Sequence, residues 1–468
     1  MKNRAFILFL VILIVTAWVV AGFWLFSFDD NDNLQSPSPD PTTNGEQNPN
    51  NNNDPSIDIS PSPSFEPPES IESLNTRRNI MLEEVGLLFR GYFYEEALLL
   101  LDDDETLIND ETHEFKNTIN EAIENLVLYE GDIKHIFFHT LIVHPERIYR
   151  DLTTPSSTYA YFLYQRELVR ILPQLLERDF VLFDANDVFR VASDGNMQRK
   201  DIYLPPGKKP LILSIDDPCY QNHTDSEASS IGFPRRVVLD SNGELAVEIK
   251  TPESEIVLSY DGDVFLLVDN FVLENPEFSW RGAKGIIAAT GIGLFGFRNE
   301  ELFPSRANWI AGNLTPTPEM ITNRETVTAI ADKIKSNGWL FANHSFTHNN
   351  VDGWWHNSNS NAANIRDLDI ARWHYFLNPI LGETNILISP GGARVHGASM
   401  QALIDAGYNL YFTVDTSQSI IGLGTPIIIM GRIEISWYSL VRFADILNRD
   451  FFNVASVIDS HRPPLSIG

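Results

Sequence analysis

The chain has 468 residues, with 34 basic and 63 acidic side chains and a net charge of −29. At roughly 150 residues per domain, this length allows two or three folded units with sizeable cores. The acidic excess argues against a nucleic-acid partner, because phosphate backbones are bound by clustered Lys and Arg. A single cysteine excludes an internal disulfide and a multi-thiolate metal site. Any bound metal would therefore need His and carboxylate ligands.

The N-terminal segment, residues 1–28, predicts a membrane anchor. Residues 5–28 carry no charge, Lys2 and Arg4 precede them, and aspartates follow. A helix of this length spans a bilayer core of about 30 Å, and the basic flank favours a cytoplasmic N-terminus. We therefore expect a single-pass transmembrane helix in the cell membrane with the C-terminal part extracellular. A cleaved signal peptide is the alternative.

Two regions separate this anchor from the main domain. Residues 29–74 are rich in Asn, Pro and Asp, so they bury too little apolar surface to offset their ordering entropy, and we expect a disordered linker. Residues 75–130 repeat apolar side chains at three- and four-residue spacing, which predicts a small helical region. The phrase at 91–97 resembles part of a tetratricopeptide helix pair. One copy is weak evidence, so a helical cap on the next domain is favoured over a peptide-binding module.

From about residue 131 to the C-terminus, short apolar runs alternate with amphipathic stretches. Strands are expected at 133–138, 180–183, 211–215, 284–289, 339–342 and 386–388. This alternation predicts an α/β fold of parallel strands joined by helical crossovers, either a barrel or an open sheet. Chemistry in such folds is assembled at the C-terminal ends of the strands.

Two of the expected strand ends carry the strongest candidate site. Asp216 and Asp217 follow one strand, and His344 and His348 follow another. A turn of helix at the histidines would direct both imidazoles to one point. Two His and one Asp would leave an open position for water, as catalytic divalent metal sites do. The second carboxylate could then act as a general base, although adjacent aspartates are also common in caps and turns.

The motifs around these residues resemble the polysaccharide deacetylases, metal-dependent esterases that remove N-acetyl groups from amino sugars. The similar phrases are LILSIDD at 211–217, HSFTH at 344–348 and ISPGG at 388–392. The resemblance implies a distorted (β/α) barrel over residues 131–468. The phrase NPEFSWRGAKG at 275–285 is similar to that of a large Gram-positive surface subgroup and implies an insertion at about 220–300.

By position, the resemblance implies roles for four residues of the candidate site. Asp217, His344 and His348 would bind a divalent metal, usually zinc, and Asp216 would be the catalytic base.

The resemblance also implies residues for the oxyanion and the substrate rim. A backbone amide near Gly391, in the motif that contains Pro390, would help to hold the oxyanion. Asp415 and Arg432 belong to segments that look like late family motifs, so they would lie at the rim.

Two departures from the family pattern bear on activity. Members often have an arginine two residues before the proline of the third motif, where it orients the base, but this chain has Ile388. Many also carry a late histidine as general acid, whereas residues 427–432 contain none. The general acid is therefore unassigned, with His396, His139 and His461 as candidates.

Taken together, these features predict a hydrolase that deacetylates an N-acetylated polysaccharide of the cell wall or extracellular matrix. The alternatives are a degenerate surface protein with a glycan-binding or scaffolding role, and a metal-dependent hydrolase of another ester or amide. The glycine run at 291–296 fits a dinucleotide fingerprint, but Pro304 interrupts the helix that should follow it. No nucleotide cofactor is expected.

Overall fold

The structure, a computed structural model, describes residues 70–151, 157–218, 231–348 and 362–462. The expected anchor at 1–28 and most of the expected linker at 29–74 lie outside these ranges. Of the helices that the structure describes, none combines the length and the apolar character needed to cross a membrane. The chain divides into two compact units after Ser73, and the packing given below lies within the second.

Seven parallel strands in the described part of the chain close into a barrel. They are β1 (Lys134–His139), β2 (Lys209–Asp216), β3 (Gly285–Ala289), β4 (Trp339–Asn343), β5 (Ile386–Ile388), β6 (Leu410–Val414) and β7 (Ile428–Glu434). Each strand pairs with the next one along the chain, and β7 pairs with β1. Of the two architectures that the sequence allows, the chain adopts the barrel.

These strands are nearly continuous apolar runs because a barrel buries both of their faces. Successive side chains point alternately into the barrel and out toward the helices. Ile212 joins the inner cluster, for example, whereas Leu211 and Leu213 join the outer one. Other inner residues are Ile286, Ala288, Ala342, Ile386, Ile388, Leu410, Phe412, Ile428 and Met430. The barrel interior is therefore a packed core.

Helices pack around the barrel, and the first three, at residues 71–124, bury apolar side chains in a cluster of their own. Ten of these helices are α1 (Ile71–Arg90), α2 (Tyr94–Leu101), α3 (Asp110–Glu124), α4 (Gln165–Glu177), α5 (Val264–Glu274), α6 (Pro318–Ser336), α7 (Ala371–Phe376), α8 (Gly397–Asp405), α9 (Trp437–Arg442) and α10 (Ala444–Asp450). Helix α6 illustrates how the local sequence sets the start and the buried face of a helix. Thr317 caps its first turn and Pro318 occupies the first helical position. Val327, Ile330 and Ile334 share its buried face.

Further strands and helical segments complete the fold. Further strands are Val127–Leu128, Phe180–Leu182, Phe189–Val191, Met197–Arg199, Tyr203–Leu204, Gly293–Leu294, Phe297–Arg298 and Ile420–Ile421. Further helical segments include Pro145–Asp151, Ala185–Val188, Asn299–Leu302, Arg306–Ala311, Asn378–Leu381 and Val454–Val457. The glycine run at 291–296 lies in the hairpin formed by the strands at 293–294 and 297–298.

The first three helices pack onto the segment that leads into β3. The ring of Tyr92 stacks on Trp280 with 4.8 Å between ring centroids, and the Tyr92 hydroxyl donates to the carbonyl of Glu277 at 2.8 Å. Arg90 pairs with the Glu277 carboxylate at 3.0 Å. Helix α1 begins at Ile71, slightly before the expected start at 75. The three helices therefore contact residues 277–280, and a role as a helical cap stays a prediction.

The segment expected as an insertion at about 220–300 contains two different structures. Strands Arg236–Leu239, Leu245–Lys250 and Ile256–Ser259 form a separate antiparallel sheet. Residues 285–289, by contrast, are barrel strand β3. The additional sheet and α5 therefore precede β3, and the barrel resumes inside the expected range.

The apolar cluster between the barrel and its helices, which contains Leu213, supplies a stability prediction. Leu213 is fully buried between the barrel and its helices, whereas Leu273 on α5 is 74% exposed. We expect Leu213→Ala to lower the free energy of unfolding by about 2–5 kcal/mol, because it leaves a cavity. The matched control Leu273→Ala should change it by less than about 0.5 kcal/mol. Urea unfolding measures both, and equal losses would contradict the assigned core.

Candidate metal centre

Two strand ends bring the candidate ligands to one edge of the barrel. Asp216 ends β2 and Asp217 follows it, while His344 follows the last residue of β4. Strand β3 lies between β2 and β4 and is parallel to both. Because the carboxyl ends of parallel strands meet at the same edge, residues more than a hundred positions apart become neighbours at the barrel mouth.

Asp217, His344 and His348 form a group that could hold a metal ion, with their ligand atoms all within 4.8 Å of one another. Oδ1 of Asp217 lies 3.4 Å from Nε2 of His348 and 3.8 Å from Nε2 of His344. Ligands about 2 Å from a tetrahedral zinc ion are about 3.4 Å apart. The two separations between Asp217 and the imidazoles are therefore close to those that a single cation requires.

The hydrogen bonds around these atoms also fit a metal. Nδ1 of His344 lies 2.8 Å from the carbonyl oxygen of Ile388, which can only accept, so this nitrogen carries the proton. The Nε2 lone pair of His344 is then free to face Asp217. Oδ1 of Asp217 is buried and has no hydrogen-bond partner among the described residues. A buried carboxylate oxygen without a donor is costly, and a cation would satisfy it.

The backbone at the site has an uncommon conformation. Asp217, Ser345 and His348 have φ values of 58°, 69° and 45°, in the left-handed region that non-glycine residues seldom occupy. Residues 344–348 form a bend rather than the turn of helix that the sequence suggested. The two imidazoles converge nevertheless, with 5.0 Å between their ring centroids.

Asp216 forms a buried, bidentate ion pair with Arg432. Nη1 and Nη2 of Arg432 donate to Oδ1 and Oδ2 of Asp216 at 2.7 and 2.8 Å, and Nη1 also donates to the hydroxyl of Ser214 at 2.8 Å. Burial alone would raise the pKa of Asp216, but the Arg432 guanidinium outweighs it and holds this pKa well below its usual range. Asp216 is consequently ionised over the whole neutral pH range.

The position of Arg432 corrects the expectation from sequence. Arg432 was expected at the substrate rim, but its side chain is 0% exposed and lies inside the barrel, over the ring of Phe137. Strand alternation explains this, because Met430, Arg432 and Glu434 are two residues apart in β7 and share a face. A guanidinium on an inward face needs a carboxylate partner. That signal was available in the sequence.

The arginine that the resemblance leads us to expect in the third motif is absent from its position. Ile388 occupies the expected arginine position on β5, and its backbone carbonyl orients His344. Arg432 on β7 contacts Asp216 instead.

His139 is the general-acid candidate that lies beside Asp216. It ends β1 directly opposite Asp216 in the strand register, and its Nδ1 lies 3.5 Å from Oε1 of Glu434. Burial raises the pKa of Glu434, a residue that the sequence reasoning missed. His396 is exposed at the start of α8, and His461 is largely exposed and pairs with Asp459 at 3.2 Å.

The remaining expected residues lie at the ends of β5 and β6. Pro390 and Gly391 belong to the tight turn Pro390–Gly392, where Gly391 has φ 57°. The carboxylate of Asp415 accepts hydrogen bonds from Ser417 and Ser419 and pairs with Arg394 at 3.1 Å. These contacts fix the turn after β6, and the roles of all three residues in substrate binding stay predictions.

No protein-family profile and no curated protein matches the chain. Among solved structures, the chain is similar to a Streptococcus pyogenes deacetylase, PplD, in complex with acetate, at 13% identity and a TM-score of 0.34; the match covers 66% of this chain and 93% of that one. IcaB from Ammonifex degensii has 14% identity and a TM-score of 0.35, and the match covers 68% of this chain and 97% of that one. A de-N-acetylase from Aggregatibacter actinomycetemcomitans has 14% identity and a TM-score of 0.36, and the match covers 68% of this chain and 98% of that one. Similarity at this level leaves function to be inferred from this chain's own side chains.

The buried ion pair supplies the second prediction. In metal-free protein at pH 7, Arg432→Met should lower the free energy of unfolding by about 3–5 kcal/mol, because it leaves the buried Asp216 carboxylate without its cationic partner. The control Arg394→Met removes the half-exposed partner of Asp415 and should cost less than about 1 kcal/mol.

The effect of pH on Arg432→Met has a definite sign. In the wild type the folded pKa of Asp216 is depressed, so its stabilising contribution is present above the unfolded value near 3.9 and is lost as pH falls through the folded value. In Arg432→Met, the Asp216 carboxyl group has lost its partner, so it takes up a proton at a higher pH than in the wild type. Protonation removes the unpaired charge. The difference between the two proteins in urea unfolding should shrink on acidification, and a difference that grows would contradict the pairing.

Proposed function

We propose that this protein is a metal-dependent hydrolase that removes N-acetyl groups from an amino-sugar polysaccharide of the cell wall or extracellular matrix. The observation that carries the proposal is the group formed by Asp217, His344 and His348, with Asp216 beside it at the barrel mouth. Three protein ligands leave a coordination position open for chemistry. The acetamide substrate is proposed from the sequence motifs that resemble the polysaccharide deacetylases.

The three side chains would hold one divalent metal, zinc by the preference of imidazole and carboxylate ligands. When bound, such an ion supplies Lewis acidity toward an acetamide carbonyl and the attacking water. The hydrogen bond from His344 to the Ile388 carbonyl fixes the imidazole in the tautomer that can coordinate. Asp217 contributes the negative charge of the ligand set.

Asp216 is proposed to accept a proton from the attacking water. Arg432 holds both of its oxygens, which fixes the direction in which the carboxylate faces the substrate. The lowered pKa keeps this residue ionised but also makes it a weak base. Catalysis in this proposal therefore depends more on positioning than on the strength of the base.

His139 is proposed to donate the proton that the departing amine needs. Its place opposite Asp216 puts it on the neighbouring strand end, and the carboxylate of Glu434 lies 3.5 Å from its Nδ1. A backbone N–H at Gly391 is proposed to stabilise the oxyanion that forms from the acetamide carbonyl. Pro390 would fix that turn, and Asp415 would border the substrate.

The cellular location is proposed from the sequence alone. The uncharged run at 5–28 would anchor the chain in the cell membrane, and the residues between it and helix α1, 29–70, would tether the barrel outside the cell. A flexible tether of this length has a root-mean-square span of roughly 35 Å, which is enough to reach polymer near the membrane.

Acetate release from N-acetylglucosamine oligomers tests the proposal. We expect activity that a chelator abolishes and zinc restores, together with loss of both metal and activity in Asp217→Ala. His139→Gln should lower kcat by about 10²- to 10⁴-fold while metal content is retained. The exposed His396→Gln serves as the matched control and should be unchanged.

Two results would point elsewhere. Bound metal without turnover on several N-acetylated polymers would favour the glycan-binding or scaffolding alternative. A loss of activity in His396→Gln but not in His139→Gln would overturn the assignment of the proton donor.

A further inference from the structure

The loop between the two candidate histidine ligands needs support from outside its own backbone. Ser345 and His348 both have left-handed φ values, which cost free energy in non-glycine residues. The bend also lacks the repeating hydrogen bonds that a helix would supply. A conformation of this kind persists only where the surrounding structure determines it.

One buried carboxylate supplies most of that support. Oδ1 of Asp369 accepts the backbone N–H of Phe346 at 2.9 Å. Its Oδ2 accepts the hydroxyl of Ser345 at 2.5 Å, and the backbone N–H and hydroxyl of Thr347 at 3.2 and 2.7 Å. Asp369 is 0% exposed. A carboxylate accepts about four hydrogen bonds, so these donors saturate it.

Neighbouring side chains complete the clamp around the loop. On the strand side, Oδ1 of Asn343 accepts the backbone N–H of Ser345 at 2.7 Å. On the helix side, the guanidinium of Arg372 lies 4.1 Å from the ring centroid of Phe346. Asp369 and Arg372 are three residues apart on a continuous helical run, so one helix face holds both the loop backbone and its aromatic side chain.

The helical run itself is irregular at this point. Asp369 lies in a π-helical turn, Ile365–Ile370, immediately before α7. Turns of this type are rare and occur frequently at functional sites. Here the turn presents the carboxylate to the loop.

We propose that Asp369 is the positioning residue for the candidate metal centre, because its four hydrogen bonds set the conformation of residues 345–347 and hence the separation of the His344 and His348 imidazoles. Asp369 acts through the loop and contacts neither the ligand atoms nor the substrate. This inference rests on the metal site in the proposed function. It adds a residue whose removal should weaken metal binding without removing a ligand.

Metal titration of the full chain tests this role. After chelation, wild type and Asp369→Asn are titrated with Zn²⁺ and Co²⁺, and the absorption spectrum of bound Co²⁺ reports the coordination geometry. We expect the Kd to rise by about 10- to 100-fold in Asp369→Asn, the usual effect of losing a residue that orients metal ligands. The Co²⁺ spectrum should also change, because the two imidazoles are no longer held in place.

A matched control and a milder variant accompany Asp369→Asn. Asp367→Asn alters an exposed aspartate two residues away that pairs with Arg366, and its Kd should equal that of the wild type. Thr347→Val removes one hydroxyl donor to Asp369 while both histidines stay, and it should raise the Kd by several-fold. If Asp369→Asn does not fold, Thr347→Val decides the question.

The outcomes separate this inference from the proposed function. Wild type that binds no metal would overturn both. Wild type that binds metal, with unchanged Kd and Co²⁺ spectrum in Asp369→Asn and Thr347→Val, would overturn the positioning role alone. A lower melting temperature of the metal-free variants with unchanged metal affinity would likewise reduce Asp369 to a structural residue.

Discussion

Closure of the barrel by β7 against β1 is the constraint on which the site depends. It places Arg432 against Asp216, although the two are 216 positions apart in the chain. The same closure brings Glu434 near His139. Because the side chains of the site come from the ends of several strands, no single segment of the chain contains it.

Two buried carboxylates near the candidate site are satisfied by donors within the protein. Asp216 is neutralised by Arg432, and Asp369 is saturated by donors of the loop. Asp217 is the exception, since its Oδ1 is buried without a donor among the described residues and faces two imidazoles. An isolated buried carboxylate is costly in a low-dielectric setting. A bound cation would offset that cost, which is the physical reason to regard these residues as a metal centre.

The sequence predicted the parts of this account that depend on short-range pattern. Alternation of apolar runs predicted the α/β strands, and the positions of Asp217, His344 and His348 after strands predicted their convergence. The placement of the other side chains of the site depended on the register of the strands. Whether Arg432 lay at the rim or in the interior depended on the pairing of β7. Which candidate histidine lies beside Asp216 depended on which strand ends face each other. The helical turn expected at 344–348 gave way to a bend. The tertiary hydrogen bond that Asp369 accepts from Phe346, and the local one that Asn343 accepts from Ser345, replaced those of a helical turn.

A crystal structure of the zinc-loaded protein, with anomalous data at the zinc absorption edge, tests the central claim most directly. The account predicts one anomalous peak at the barrel mouth, about 2.0–2.2 Å from Nε2 of His344, Nε2 of His348 and a carboxylate oxygen of Asp217. Absence of a peak there, or a zinc ion held by other side chains, would contradict it.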